Sequence, residues 1–224
     1  MTLILNIDTA TETASVCLSL DGKGLAVLEN RDQQEQAGWL HVAIRQILQE
    51  TGFSLKDLAG VAVVSGPGSY TGLRVGLAAA KGFCYALRIP LITEISLRLM
   101  AFTAREQGAE PSFLLCPMID ARRMEVFTAV YNYSLKELLA PSALVLDINS
   151  FGKELETSKM LFFGNGSIKW QTISQSPNAF FKKQDSDASF LGILSYQKFI
   201  KREFTDIIYS EPVYTKEFYT HTKK

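Results

Sequence analysis

Hydrophobic positions in the first half of the chain form short runs that alternate with one-sided helical patterns. In the amphipathic stretch at 34–51, Leu40 and Ile44 belong to a set of apolar residues with the i, i+4, i+7 spacing of one helix face. Further helices are predicted at 71–87 and at 96–107, where Ser96 is placed as the cap. Strands are predicted at Leu3–Asp8, Ala14–Leu20, 25–30, 60–64 and 90–94. The predicted order is β-β-β-α-β-α-β-α.

The pattern restarts after a turn-rich stretch at 108–111. Strands are predicted at 113–119, Glu125–Tyr131, 143–146 and 159–163, with a short helix near 149–156. Residues 176–186 carry no periodicity and are predicted to be irregular, and a helix follows at 187–203. The sequence therefore predicts two α/β domains, at 1–107 and 108–224, the second carrying a terminal helix and tail.

One segment stands out between the strand at 60–64 and the helix that follows it. It reads Ser-Gly-Pro-Gly-Ser-Tyr-Thr-Gly-Leu-Arg-Val-Gly at 65–76. Its glycines and proline end the strand, and Ser69 or Thr71 can cap the helix. Gly72, Gly76 and Ala80 lie four residues apart, so one helix face is nearly bare and allows close approach of this chain's own core or of a partner.

Known phosphate-binding loops do not fit this segment. A P-loop has Lys and then Ser or Thr after its last glycine, whereas Leu73 and Arg74 follow Gly72. A dinucleotide fingerprint needs a small residue three after Gly68, where Thr71 stands. A helix N-terminus can still hold an anion. Two interpretations remain, a tight turn with a close-packed helix or an anion site.

The composition of the chain argues against several classes of function. The chain has 224 residues, with 23 Lys plus Arg and 23 Asp plus Glu, so no net charge marks a surface for nucleic acid or an anionic membrane. Its three cysteines lie in separate apolar runs, which predicts buried free thiols and a reducing, cytoplasmic setting. We expect no signal peptide and no membrane span.

Candidate catalytic groups are few. Asp8, Thr9, Thr11 and Glu12 occupy a first-hairpin turn, where actin-like and sugar-kinase folds hold a phosphate with a glycine two after the Asp; Ala10 stands at that position. His41 and His221 are the two histidines, and neither has a second histidine one helical turn away, so no metal site is predicted.

Two further groups have competing interpretations. Ser69 lacks the Gly-x-Ser-x-Gly context of a nucleophile elbow and a well-placed histidine, which favours a capping role over a hydrolase. Asp120, Arg122 and Glu125 crowd a turn between two strands. That turn is either a self-neutralising surface turn or a contact surface at the mouth of a cleft between the domains.

Taken together, four motifs resemble the bacterial TsaB family, also called YeaZ, of tRNA threonylcarbamoyladenosine biosynthesis proteins, which also carries a glycoprotease-like peptidase label. The motifs are Asp-Thr-Ala-Thr-Glu at 8–12, the 65–76 segment, Ile-Asp-Ala-Arg at 119–122 with Glu-Val-Phe at 125–127, and Glu-Pro-Val-Tyr at 211–214. The stretch from 134 to 201 carries little family signature.

The resemblance implies an actin-like ATPase (ASKHA, ribonuclease H-like) fold of two α/β domains. It also implies a non-catalytic subunit that binds and activates the catalytic paralogue TsaD, which transfers a threonylcarbamoyl group to adenosine 37 of tRNA. TsaE, an ATPase, would join the pair, and tRNA would be contacted indirectly through the complex. No cofactor is expected to bind tightly to this chain alone, whereas ATP or ADP would sit at a shared surface.

The partner surface is predicted on the first-domain helices, with Arg74 setting orientation. The candidate interface residues are Gly66, Pro67, Gly68, Ser69, Tyr70, Thr71, Gly72, Arg74, Gly76, Leu40 and Ile44. A homodimer is expected in the absence of the partner, because an exposed apolar helix face tends to self-associate. The alternative function is a small ATPase of the same fold, or a peptidase-like hydrolase, acting alone.

Overall fold

A computed structural model describes residues 1–32, 36–184 and 187–215 and shows two five-stranded mixed sheets with helices on their faces. The first sheet has the order β3-β2-β1-β4-β5, antiparallel from β3 to β1 and parallel from β1 to β5. Its elements are β1 (Leu3–Asp8), β2 (Ala14–Leu20), β3 (Lys23–Asn30), α1 (Gln36–Thr51), β4 (Gly60–Gly66), α2 (Tyr70–Leu87), β5 (Leu91–Ile95) and α3 (Ser96–Glu106). The predicted first-half order is confirmed.

The second sheet repeats the topology of the first. Its order is β10-β9-β6-β7-β8, with antiparallel pairing among β6, β7 and β8 and parallel pairing from β6 to β10. The elements are β6 (Leu114–Asp120), β7 (Glu125–Tyr131), β8 (Glu137–Val145), α4 (Gly152–Thr157), β9 (Met160–Phe163), α5 (Ser167–Gln171), β10 (Ala179–Lys182) and α6 (Ala188–Lys201). The restart of the pattern after residue 108 is thus a structural repeat.

Helices cover both faces of the first sheet, whose strands β1 and β4 are buried at every residue. Helices α1 and α2 pack Leu40, Ile47 and Ala80 against one face. Helices α3 and α6 pack Phe102 and Leu191 against the other. Helix α3 also contacts the second sheet and so lies between the two sheets.

The terminal helix α6 packs across the predicted domain boundary. It follows the second sheet in sequence but packs on the first sheet, where Leu191 and Leu194 contact Ile4. The Ser195 hydroxyl donates to Asn6 Oδ1 at 2.7 Å, deep in this interface. A sheet that is apolar on both faces needs a helix layer on each, and α6 supplies one. Residues 108–224 are therefore not one packing unit.

The predictions of single strands, helices and caps were wrong where the sequence pattern covers only a few residues. β8 begins six residues before its predicted start, and β10 and α5 fall in stretches without clear periodicity. Ser96 is not the cap of α3: Ile95 is the N-cap, and the Ser96 hydroxyl donates to the Pro67 carbonyl instead. The predicted first residue of α1, Gln34, lies outside the described residues, as does His221.

None of the helices within the described ranges combines the length and the hydropathy that a bilayer crossing requires.

Candidate functional site

The 65–76 segment links β4 to α2 and begins the candidate site. The Ser69 hydroxyl accepts a bond from the Gly72 amide at 3.3 Å, so Ser69 is the N-cap that the sequence predicts. Ser69, Tyr70, Thr71 and Arg74 are exposed, while Gly66 and Pro67 are buried and Gly68 is half-buried. The candidate interface therefore divides into a buried loop and an exposed helix N-terminus.

The buried loop closes against the first hairpin. The Ser69 amide donates to the Ala10 carbonyl at 2.7 Å, and the Thr9 hydroxyl donates to the Gly72 carbonyl at 2.7 Å. A Cβ at Gly68 would collide with the Ala10 carbonyl oxygen, so only glycine allows this approach. The Ala10 amide donates to the carboxylate of Asp8 at 3.0 Å. These hairpin groups are therefore engaged within the chain.

The bare face of α2 lies in the chain's own core, which is one of the two neighbours that the glycine spacing allows. Gly72, Gly76, Leu40 and Ile44 are all buried, and Leu40 and Ile44 belong to the cluster beneath the first sheet. A Cβ at Gly76 would collide with the Thr9 hydroxyl oxygen. The spacing of the glycines indicates close packing, and the neighbours are strands β1 and β4 with the hairpin that follows β1.

The opposite face of α2 is exposed and also carries small residues. Ala78 and Gly82 lie on it, and Tyr85 is 80% exposed. Within the ranges that the structure describes, a Cβ at Gly82 would meet no atom within 4 Å. On α1, Val42 is 59% exposed and Gly38 is equally open. We call these five residues the two-helix face.

Helices α1 and α2 adjoin, so the two-helix face is one surface. The His41 and Phe83 rings, one from each helix, lie 5.9 Å apart between centroids. The sequence analysis named neither Val42 nor Ala78 as a site residue. The glycines at 38 and 82, each placed inside a helix at a cost of about 1 kcal/mol relative to Ala, are the signal that would have found this surface.

The chain after α6 returns across the first sheet and along α2. The Thr205 amide donates to the Leu91 carbonyl at 2.8 Å, and Lys81 Nζ donates to the Ser210 carbonyl at 3.0 Å. The Val213 amide donates to the Ser65 carbonyl at 2.7 Å. We call residues 205–214 the strap. It explains why Gly66, with φ at 117°, carries no side chain: a Cβ there would lie 2.7 Å from the Val213 carbonyl oxygen.

Arg74 is held at the end of the strap. Its Nε donates to the Tyr214 hydroxyl at 2.9 Å, and its guanidinium carbon lies 3.7 Å from the centroid of the Tyr70 ring. The two tyrosine rings are 5.5 Å apart. Arg74 and Lys81, which the sequence places on one polar stripe with Tyr85, are thus both bound by the strap.

A cleft of about 480 Å³ opens between the two halves of the molecule. Asp8, Thr11 and Glu12 line one side, and Asn165, Lys182 and Gln184 line the other. Thr9 points away from it into the contact with α2. The second wall was not predictable from the sequence pattern, because Asn165 lies in the turn after β9 and Lys182 on the four-residue strand β10.

Asp8 is the buried carboxyl of this cleft. Burial raises its pKa to about 6; the amide bond from Ala10 lowers it, and the nearby Asp187 carboxylate raises it further. A carboxyl with a pKa of about 6 can hold or release a proton in mildly acidic solution, but no described histidine or lysine forms a hydrogen bond with it.

The turn at 120–125 is held by a lysine from α5. Lys169 Nζ lies 2.8 Å from Asp120 Oδ1 and also donates to the Glu125 carbonyl at 3.0 Å. The Arg122 amide donates to Asp120 as well. Burial raises the pKa of Asp120, but the Lys169 and Arg122 bonds and charges outweigh it and hold that pKa below its usual range. The Asp120 amide donates to Asn165, which lines the cleft.

No group of three His, Cys, Asp or Glu side chains that would hold a metal ion occurs in the described part of the chain. The three cysteines are buried and free. Burial raises the pKa of Cys17 and Cys116 to about 12 and that of Cys84 to about 11. They are protonated near neutral pH and are poor nucleophiles or metal ligands.

Comparison with known proteins gives consistent relatives. A family model described as "TsaD: tRNA N6-adenosine threonylcarbamoyltransferase" matches residues 31–211. The tRNA threonylcarbamoyladenosine biosynthesis protein TsaB of Bacillus subtilis (strain 168) is 31% identical over 145 residues, which are 64% of this chain and 62% of that protein. The TsaB of Escherichia coli (strain K12) is 39% identical over 129 residues, 57% of this chain and 54% of that protein. The aligned parts thus span less than two thirds of these relatives.

A solved structure described as an uncharacterized protein with similarity to peptidase YEAZ from Pseudomonas aeruginosa superimposes with a TM-score of 0.82. It is 26% identical and covers 96% of this chain and 100% of its own. Together with the repeated sheet topology, this confirms the two-domain α/β fold of actin-like ATPase (ASKHA) type. The chain belongs to the TsaD: tRNA N6-adenosine threonylcarbamoyltransferase family, and within it the chain is similar to the TsaB (YeaZ) proteins.

Proposed function

We propose that this chain is a non-catalytic subunit required for threonylcarbamoylation of adenosine 37 in tRNA. It binds a TsaD-type catalytic partner and activates it, in the cytoplasm, with the ATPase TsaE joining and tRNA contacted through the complex. The family match and the relatives named as TsaB biosynthesis proteins support this role.

The closed hairpin supports the non-catalytic part of the proposal. A phosphate approaches a hairpin of this kind through open backbone, but the Ala10 carbonyl is bound by Ser69 and the Ala10 amide by Asp8. Ala10 is fully buried. Ser69, the candidate nucleophile of a hydrolase, uses its oxygen to cap α2. These groups stabilise the fold of this chain instead of binding a substrate.

The observation that supports binding to a partner is the exposed two-helix face. A glycine inside an exposed helix lowers the stability of the chain, and no described residue packs on Gly38 or Gly82 to offset that loss. Small residues on adjoining helices allow another helix to approach closely, and Val42 and Tyr85 supply apolar area for that contact. The face therefore fits a helical partner.

The test is size-exclusion chromatography of this chain mixed with the TsaD of the same organism, followed by a threonylcarbamoylation assay on tRNA with TsaE and ATP. We expect a shifted peak and activity that depends on this chain. Gly82→Leu should abolish the shift and leave the isolated chain folded. Gly152→Leu is the matched control, because that glycine is also open to solvent but lies at the start of α4. No shift and no stimulation with the wild-type chain would refute the proposal.

Nucleotide is proposed to bind at a surface shared with the partner, and not tightly to this chain alone. The lining of the cleft carries three acidic side chains (Asp8, Glu12 and Glu29) and three basic ones, so it supplies no net positive charge to hold a phosphate. Calorimetric titration of the isolated chain with ATP and ADP should show no tight binding. Tight binding would favour the alternative function, an ATPase acting alone.

A further inference from the structure

We propose that Arg74 is a preorganised anchor that selects a carboxylate on the partner's docking helix. This inference rests on the proposed function and names the chemistry by which the two-helix face recognises its partner. The proposed occupant is an Asp or Glu side chain of the TsaD-type partner, positioned where the guanidinium of Arg74 is exposed.

Arg74 lies on the docking side of α2. It is exposed and stands four residues before Ala78 and eight before Gly82, so it continues the same helical stripe. Tyr70, which lies beneath the guanidinium, is 38% exposed, so the pair forms an aromatic–arginine surface at one end of the two-helix face. Arginine and tyrosine, with tryptophan, are enriched at interface hot spots.

The side chain of Arg74 is already ordered in the isolated chain. The ring of Tyr70 packs against its guanidinium, and the Tyr214 hydroxyl accepts from its Nε. Tyr214 is fixed in turn by the strap, through the bond from the Val213 amide to Ser65. Ordering a free arginine side chain on binding costs conformational entropy and weakens association. In this chain the contacts with Tyr70 and Tyr214 already order Arg74, which reduces that cost.

The guanidinium has unused donors. Among the described residues, Arg74 forms no ion pair, and its recorded hydrogen bond uses Nε, which leaves both terminal nitrogens available. A guanidinium presents those nitrogens in a fixed geometry that matches a carboxylate. An exposed and ordered guanidinium without a counter-charge therefore fits an anionic group from another molecule.

A second copy of this chain fits the position less well. Helix α2 contains no Asp or Glu, and the one acid of α1, Glu50, accepts a hydrogen bond from Gln46 at 2.8 Å. The two-helix face of a second copy thus offers Arg74 little negative charge. A partner with a carboxylate on its docking helix gains a charge-assisted bond that self-association lacks, which favours the mixed pair over the homodimer.

The experiment is calorimetric titration of the chain with the TsaD of the same organism at low and high salt. Arg74→Gln should weaken binding about fivefold at low salt, the change that a loss of about 1 kcal/mol gives. The difference should shrink at high salt, because the screening length falls from about 10 Å at 0.1 M to about 3 Å at 1 M. Arg74→Lys should bind more tightly than Arg74→Gln but less tightly than the wild type, since an ammonium lacks the planar pair of N–H donors that matches a carboxylate. Lys153→Gln, an exposed change of equal charge on α4, is the control and should bind as the wild type does.

Tyr214→Phe tests the role of the strap. It keeps the charge of Arg74 but removes the acceptor of its Nε, and we expect binding to weaken about twofold. Wild-type affinity of Arg74→Gln at low salt would overturn the inference and leave the proposed function standing. A wild-type chain that does not bind at all would refute the proposed function itself. Loss of self-association in Arg74→Gln with unchanged partner binding would assign the site to a second copy and overturn the inference.

Discussion

Two glycines of helix α2 provide a matched test of which helix face belongs to the core. Gly76→Ala and Gly82→Ala add the same methyl group to the same helix, six residues apart. At Gly82 the new Cβ meets no atom of the described residues within 4 Å. At Gly76 it collides with the Thr9 hydroxyl oxygen and lies 3.4 Å from Val63 Cγ2 and 3.5 Å from Ile7 Cγ2. The structure therefore predicts opposite effects on the free energy of unfolding.

The magnitudes follow from the local contacts. Replacing a helical glycine by alanine stabilises a helix by up to about 1 kcal/mol, and Gly82→Ala should show a gain of that order. At Gly76 the same gain is opposed by overpacking, which costs about 1 to 3 kcal/mol. Thr9 must also turn away, which breaks its 2.7 Å bond to the buried Gly72 carbonyl at a further cost of about 1 to 3 kcal/mol. With a helix gain of about 1 kcal/mol subtracted, the net loss for Gly76→Ala is about 1 to 5 kcal/mol.

The assay is urea unfolding of the isolated variants, followed by circular dichroism and by fluorescence to check two-state behaviour. A double-mutant cycle with Thr9→Ala identifies the cause: in that background Gly76→Ala should cost about 1 kcal/mol less, because the colliding oxygen is gone. A stability gain for Gly76→Ala equal to that of Gly82→Ala would refute the assignment of this face to the core. The assignment would also be refuted if Gly76→Ala cost the same free energy of unfolding in the wild-type and Thr9→Ala backgrounds.

Three further predictions concern buried polar groups. Burial raises the pKa of Asp8 to about 6, so the folded state holds a proton that the unfolded state releases, and stability is full below pH 4 and is lost as pH rises through 6. Asp8→Asn should remove this dependence and raise the free energy of unfolding at pH 8 by about 1 to 3 kcal/mol, measured by urea titration at pH 5 and pH 8. The Glu94 carboxylate is 2% exposed and lies 2.8 Å from Arg98 and 3.1 Å from Lys198. The Glu94→Gln substitution leaves both cations without their counter-charge. This should cost about 2 kcal/mol in the same assay, whereas Glu106→Gln at an exposed pair should cost under about 0.5 kcal/mol. The three buried cysteines should not react with a thiol reagent at pH 8 in the native chain and should all react in guanidinium, and rapid native labelling would contradict their burial.

The first half was predictable because its signals are long and agree with one another. Strands β1 and β4 are buried at every residue, so their apolar runs are continuous, and Ser69 both ends a loop and caps a helix. In the second half β10 has four residues that alternate between half-buried and exposed, and α5 has five. Elements this short carry too few positions for a period to emerge.

The candidate site was predictable in position but not in orientation. The spacing of Gly72, Gly76 and Ala80 indicates a face that something approaches closely, but periodicity does not say what approaches. The neighbours are strands β1 and β4 and the hairpin after β1, and the hairpin lies more than 60 residues away along the chain: the Thr9 to Gly72 bond spans 63 positions. The same reason explains α6, whose amphipathic pattern shows that it covers a sheet but not which of two similar sheets it covers.

The strap shows how two separate motifs form one unit. Glu-Pro-Val-Tyr at 211–214 has no chemistry of its own, and the Arg74 to Tyr214 bond joins residues 140 positions apart. In the fold the 65–69 loop is held from two sides, by the hairpin through Ala10 and Ser69 and by the strap through Val213 and Ser65. Gly68 and Gly66 are the points of closest approach on these two sides. The loop thus lies between two parts of its own chain, and the surface left for another molecule is the exposed side of α2 that begins at Arg74.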